Sequence, residues 1–299
     1  MPDLRLYLLG SPRLEHEGTS VVLASHKALA LLAYLAVTAT AHRKETLSAL
    51  LWPEYNTAHA RAYLRHALWD LNQTPLQAEL IVTRETLALC PEVWVDVLAF
   101  EAALRACQQH GHLADAVCSA CLAPLTEAAA LYQADLLAGF TLPDSPAFDT
   151  WQFFATEGLR IKLAWVLERL VRLHGDAGAW AAALAAGWRW VALDPLQEPA
   201  QRRLIELYAW AGQPGAAVRQ YQETTRQLAA ELGIAPAPAT TALYEAIRAG
   251  QPLPRLPIMA GPQDRPVLPP APEIPTLFLG REPELARLAG WLAASQAGA

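Results

Sequence analysis

The stretch RKETLSALLWPEYNTAHARAYLRHALWDLNQ, residues 43–73, decides how the N-terminal third of the chain folds. Its first part places Leu47, Leu50 and Leu51 at helical core spacing. It stops at Trp52-Pro53, because proline disfavours helix in the residue before it. Its second part carries Leu64, Ala67, Leu68 and Leu71, an i, i+3, i+4, i+7 stripe that predicts one buried helix face. Arg61, Tyr63, Arg65 and His66 fall outside that stripe. Two helices joined by a tight turn, the second presenting arginines, have the form of a helix-turn-helix reader of DNA. An ordinary helical hairpin with a solvated face fits the same residues, and on this stretch alone the two stand level.

Upstream, Leu4–Leu9, Arg13–His16 and Ser20–Leu23 read as short strands separated by Gly10-Ser11-Pro12 and Glu17-Gly18-Thr19, which are turn chemistry. Ser25 is suited to cap a helix from His26 to about Val37 with Leu29, Leu32, Ala33 and Leu35 inward. Downstream, Leu80–Thr83 and Leu87–Leu89 flank Arg84-Glu85-Thr86 and predict a small hairpin. Three strands, three helices and a hairpin are, in that order, the parts of a winged helix, with the hairpin as the wing.

From Asp96 onward the periodicity is helical. Helices are expected over Val97–Gln108, Leu122–Leu136, Phe148–Leu173, Ala177–Leu193, Glu198–Trp210, Pro214–Leu232 and Ala239–Arg248. Gly175 and Gly212 each precede a new helix at a spacing close to that of tetratricopeptide helix pairs, which predicts a helical-repeat superhelix with a binding face. Trp180 and Trp188 share a face with Leu184 and Val191, so core packing is expected of them rather than an aromatic cage. The fold class expected is therefore mainly α. A winged helix-turn-helix occupies residues 1–96 and an all-α tetratricopeptide-like domain residues 97–250. The nine prolines of 251–275 predict a linker, and 276–299 reads as the start of a further domain.

The chain has 299 residues, 53% of them hydrophobic, and a formal net charge of −6. No apolar run reaches the roughly 18 residues a membrane span needs, and no signal peptide is visible. A cytoplasmic protein without a membrane partner is expected. Through Asp96, 8 Lys and Arg stand against 10 Asp and Glu. Phosphate electrostatics dominate nucleic-acid affinity, so DNA binding requires the basic groups to be gathered on one surface. Arg43, Lys44, Arg61 and Arg65, with Arg84 on the wing, are the groups to gather. No catalytic constellation emerges: no serine sits in a G-x-S-x-G context, and an enzyme is not expected.

Four cysteines do not make a disulfide scaffold in a chain of this length. Cys107-x2-His110 and Cys118-x2-Cys121, with His112 able to replace His110, have the pairing that tetrahedral structural zinc requires. The same cysteines also suit a role as small buried hydrophobes. No other cofactor is implied. No G-x-x-x-x-G-K-[ST] occurs, so the chain contains no phosphate-binding loop for a nucleotide.

With its parts in this order the chain resembles bacterial regulators of the Streptomyces antibiotic regulatory protein type, in their large multidomain form. Leu6–Gly10, Lys27 with its Ala/Leu-rich helix, and Leu50-Leu51-Trp52 are similar to a response-regulator-type winged helix. Val95-Asp96-Val97 with Phe100 is similar to that domain's exit. Leu131-Tyr132, the DLLAGF of residues 135–140, Trp151, Gly175-Asp176, Leu193-Asp194-Pro195, Arg219-Gln220-Tyr221 and Glu231-Leu232-Gly233-Ile234 with Pro236 are similar to the bacterial transcriptional activator domain. Phe278–Glu282 is similar to the approach to a signalling ATPase domain. The resemblance implies an activator that binds direct repeats upstream of promoters and contacts RNA polymerase. Double-stranded DNA, the polymerase, a second copy of the chain and its own ATPase domain would be its partners. Arg61, Tyr63 and Arg65 fall where such proteins contact DNA, with His66 beside them. Trp52, Glu54, Tyr55 and Asn56 match the loop that touches polymerase. The chain departs from the pattern where further arginines are common: it has Trp69, Asp70, Asn72 and Gln73 there. The departure leaves open a second reading, a helical-repeat adaptor whose winged helix docks protein.

Overall fold

Alternating burial of Leu4 and Leu6 packs one face of β1 (Leu4–Tyr7) on the core, and β1 opens an antiparallel meander with β2 (Arg13–His16) and β3 (Thr19–Val21), β2 in the middle. The computed structural model describes residues 4–23, 25–110 and 117–254, all within the compact unit Met1–Pro262. The linker expected over 251–275 lies outside them except for 251–254, and both His112 and the segment 276–299 lie wholly outside. In the meander Leu6 stands opposite Leu14, and Glu15 opposite Ser20. The β2–β3 turn holds Glu17 and Gly18 at φ 50° and 78°, the positive values that a two-residue hairpin requires. Ser25 caps α1 (His26–Thr38) by accepting from the Ala28 amide at 3.3 Å. The helix buries Leu31, Leu32, Ala33 and Leu35.

Two strands escaped the sequence reading. β4 (His42–Arg43) leads into α2 (Lys44–Leu51), which is followed by α3 (Thr57–Asn72). β4 also edges a second sheet in the order β4-β6-β5, with β5 at Leu80–Val82 and β6 at Thr86–Leu89. β7 (Trp94–Val95) runs parallel to β1, with Val95 beside Leu6. Each has two residues, too few to show alternation.

The rest is helical: α4 (Asp96–Gln108), α5 (Leu122–Leu131), α6 (Pro146–Asp176), α7 (Trp180–Leu193), α8 (Glu198–Trp210), α9 (Pro214–Leu232) and α10 (Pro238–Arg248). The chain is mainly α, 64% helix, with a small N-terminal sheet region and helical repeats behind it. The helix expected to run to Leu136 ends at Leu131. The segment after it gives its backbone bonds to the chain leaving β1: Gly10 N–H donates to the Asp135 carbonyl, Leu137 N–H to Leu8, and Ala138 N–H to Gly10. Leu137 takes φ 56° to make this crossing.

The repeat is more regular than its glycines suggested. Gly175 lies inside the last turn of α6, and the glycine equivalent to Gly212 is Gly178, both left-handed and 34 residues apart. Ala179 N–H donates to His174 and Gly178 N–H to Gly175; Gln213 to Tyr208 and Gly212 to Ala209 repeat the same pattern. These bonds close α6 and α8 with the same glycine cap. The spacing is the tetratricopeptide period. Packing between the pairs uses small residues. A Cβ on Gly187 of α7 would come within 3.2 Å of Leu207 and 3.3 Å of Leu204 on α8. The buried face of α7 is Ala183, Ala186, Gly187, Trp190 and Val191. Trp188, expected in the core, is 48% exposed and donates its indole N–H to the Tyr208 hydroxyl.

One continuous apolar core runs from Leu4 to Leu207, so the winged helix and the repeats share an interior. At the junction Lys27 Nζ donates to the Leu51 carbonyl at the end of α2, and to Ser145 Oγ at 2.5 Å. It also pairs with Asp144 at 3.0 Å. A cation at that carbonyl suits the negative end of α2. The Asp96 carboxylate, 2% exposed, accepts from the Leu8, Leu9 and Val97 amides, which fixes the start of α4 against β1. Among the described residues no helix is long and apolar enough to cross a membrane.

Candidate nucleic-acid interface

Burial of Ala60, Leu64, Ala67 and Leu71 fixes the roll of α3. The Asn56 side chain starts the helix, accepting from the His59 amide at 3.0 Å. That roll leaves Ala58, Arg61, Ala62, Arg65 and Trp69 exposed along one side, two of them alanines that permit close approach of a backbone. The α2 start and the wing turn meet this side. Lys44 Nζ donates to the Thr83 carbonyl at 2.6 Å and the Lys44 amide to the Glu85 carbonyl at 2.8 Å. Thr83 and Thr86 close the turn through their hydroxyls at 2.7 Å and present Arg84 at its tip.

Together these elements enclose a cavity of about 600 Å³ lined by Arg43, Lys44, Arg61, Arg65 and Arg84, with Glu45 and Glu85. Five of the eight cations before residue 97 thus line one concavity. Of the ten acidic residues before residue 97, Glu45 and Glu85 line the concavity, and four are engaged away from it. Asp96 is buried on amides, Glu92 accepts from Cys90, Asp70 pairs with His66 at 3.6 Å, and Glu15 pairs with Arg13 at 3.5 Å. Summed charge therefore misjudges this surface, because a phosphate feels local charge within about a Debye length of roughly 8 Å.

The residues picked from sequence divide. Arg43, Lys44, Arg61, Arg65 and Arg84 come together. His66 turns to Asp70 and Trp69, and Tyr63 stacks on Trp52 (6.3 Å) and meets Tyr55 (4.7 Å), so neither lines the cavity. Trp52 is 6% exposed, with Lys27 over its ring; Glu54, Tyr55 and Asn56 are exposed, Asn56 being engaged as the cap. One functional feature was not foreseen. Glu45 forms an ion pair with Arg61, placing a carboxylate where an approaching phosphate would sit. Its 16-residue separation from Arg61 gives no local signal. The cysteine and histidine pairs lie apart from this face, between α4 and α5: Cys107, Cys118 and Cys121 are buried and His110 is half-buried.

A winged helix joined through a common core to tetratricopeptide-like repeats defines a transcription-regulator architecture. The bacterial transcriptional activator domain family matches residues 95–248, more than half of the chain, and the chain belongs to that family. With its winged helix it has the composition of the Streptomyces antibiotic regulatory protein type. The family is one of transcriptional regulators and not an enzyme class. Among solved structures the chain is similar to Mycobacterium tuberculosis EmbR in complex with a low affinity phosphopeptide. The TM-score is 0.64 at 22% identity, over 85% of this chain and 67% of that one, a likeness of fold. Curated protein sequences give no match.

Proposed function

We propose that this regulator binds double-stranded DNA through its winged helix and activates transcription. α3 enters the major groove, and the wing rides on the backbone. The observation that carries the reading is the convergence of Arg43, Lys44, Arg61, Arg65 and Arg84 from β4, α2, α3 and the wing on one concavity. Arg61 and Arg65, one turn apart on α3, reach base edges or flanking phosphates, while Arg43, Lys44 and Arg84 serve as phosphate contacts. Direct repeats as targets and contact with RNA polymerase follow from the family resemblance. The exposed Glu54 and Tyr55, on the turn beside α3, are the surface for the polymerase. The proposal divides the chain into a DNA-binding part (1–96) and an activator part (97–250). To these it adds the linker over 251–275, outside the described residues except for 251–254, and the start of an ATPase domain at 276–299, wholly outside them.

Fluorescence anisotropy on the DNA upstream of the regulated promoter tests the reading. The wild-type chain shifts a repeat-containing probe in a salt-dependent manner, and Arg61→Ala with Arg65→Ala removes sequence-specific binding while the circular dichroism spectrum is kept. Unchanged binding in the double variant sinks the assignment of α3. Failure of any sequence to compete above non-specific DNA favours the protein-docking adaptor instead.

A further inference from the structure

We propose that Cys107, His110, Cys118 and Cys121 hold a structural zinc ion that clamps the connection between α4 and α5. The interface reading does not depend on this site. His110, Cys118 and Cys121 bring one ligand atom each to within 4.8 Å of one another. Cys118 Sγ lies 3.7 Å from Cys121 Sγ, and His110 Nδ1 lies 3.5 Å and 3.2 Å from those two sulfurs. Zinc bonds of about 2.3 Å to sulfur and 2.05 Å to nitrogen set tetrahedral edges of about 3.8 Å between sulfurs and about 3.6 Å between sulfur and nitrogen. The three atoms therefore stand close to the corners of one zinc tetrahedron.

The backbone repeats the pattern. The His110 amide donates to the Cys107 carbonyl at 3.3 Å, and the Cys121 amide to the Cys118 carbonyl at 3.0 Å. Two pairs with the same x2 spacing are thus folded into the same kind of turn, a form that converges two ligands on one ion. Cys107, on the last turn of α4, donates its thiol to the Cys121 carbonyl, 3.7 Å away, and lies outside the 4.8 Å grouping of the other three; it is the buried thiol beside them that turns from that carbonyl to supply the fourth ligand. Cys107, Cys118 and Cys121 are each 3% exposed or less, and α4 packs along α5 beneath them. A site with three thiolates and one imidazole selects zinc over the oxygen-seeking magnesium and calcium. With four protein ligands it leaves no position for a substrate, so its role is to hold the fold.

Untagged chain, expressed with zinc and purified without chelator, is analysed by inductively coupled plasma mass spectrometry. The proposal predicts about one zinc per chain, falling below about a tenth in Cys118→Ser and Cys121→Ser. Two measurements on wild-type protein guard against variants that fail to fold. Cobalt replacing zinc gives the visible absorption of a tetrahedral thiolate site. Alkylation labels Cys90 with or without metal, whereas Cys107, Cys118 and Cys121 become labelled when the metal is chelated. Protein that carries under a tenth of an equivalent and takes up neither ion with its thiols reduced overturns the proposal, as does a Cys118–Cys121 disulfide. Full zinc retention and an unchanged cobalt spectrum in Cys107→Ser overturn the assignment of the fourth ligand.

Discussion

Replacing Glu45 by Gln should make the protein bind DNA more tightly while making it slightly less stable. Glu45 lines the basic concavity and holds Arg61, their side chains 63% and 50% exposed. A phosphate or base that takes Arg61 must first break this pair. At that exposure the pair is worth about 0.2–1 kcal/mol, so its removal strengthens binding by roughly 1.5- to 5-fold. Loss of a carboxylate facing the DNA adds to the gain at low salt, and screening reduces that part as ionic strength rises. Stability moves the other way. Glu45 sits in the first turn of α2, where a negative charge stabilises a helix by about 0.3–1 kcal/mol. Anisotropy titrations of wild type, Glu45→Gln, Arg61→Ala and the double variant form a double-mutant cycle. Arg61→Ala should cost about 1–3 kcal/mol of binding, and the gain from Glu45→Gln should largely vanish in that background. If Glu45→Gln binds more weakly, the concavity is not where DNA docks; if it gains as much without Arg61, the ion pair is not what withholds Arg61 from the DNA.

The remaining predictions concern the frame that holds this face. Lys27→Met removes a cation 15% exposed from the junction of α1, α2 and the start of α6. Ser145 Oγ still donates to the Leu51 carbonyl at 2.6 Å, so the loss should be about 2 kcal/mol, near the low end for charged hydrogen bonds. The thermal midpoint should then fall by roughly 4–8 °C. Gly158→Ala in α6, with no atom within 4 Å of the added methyl, should stabilise by about 0.5–1 kcal/mol. Gly187→Ala should gain nothing or destabilise, because overpacking against Leu204 and Leu207 costs about 1–3 kcal/mol; thermal unfolding of the two variants side by side checks the order. Hydrogen bonds from Arg160 hold the Asp135 carboxyl below the ordinary carboxylate range, against a smaller opposing effect of burial. A depressed folded value means that this stabilisation is full above the unfolded pKa, about 3.9, and is lost as pH falls through the folded one. Urea midpoints should therefore drop less steeply with acid in Asp135→Asn than in wild type.

Much of this architecture was legible in the chain because local chemistry encodes it. α8 and α9 each carry a proline in the first turn, Pro199 and Pro214, and they fall where periodicity and breakers predict. Ser25 and the buried stripe of α3 were similarly local. What was not legible depends on distant partners. β4 and β7 are strands only because β6 and β1 pair with them. Leu136 continues an apolar helical pattern, yet its segment pairs with Leu9. Trp188 was expected inside because its spacing shares a face with Trp180, Leu184 and Val191, but the close approach of α7 to α8 at Gly187 turns Ala183, Ala186, Gly187, Trp190 and Val191 inward instead. At the basic concavity the spacing of residues 61–71 identified the exposed arginines. A count of charges could not show that Arg43, Lys44 and Arg84 join them, or that Glu45 sits among them. The cysteine spacing was visible in sequence, whereas the convergence of its atoms required the α4–α5 packing.

The most direct test of the central claim is the salt dependence of binding by the wild-type chain to a repeat-containing promoter fragment, with unrelated DNA as competitor. Each neutralised phosphate contributes about −0.9 to the slope of log K against log salt, so five cations partly offset by two carboxylates predict roughly −3 to −4.5 per bound chain. The account also requires the specific fragment to outcompete the unrelated one. A slope shallower than about −1, with no preference between the two DNAs, would contradict it.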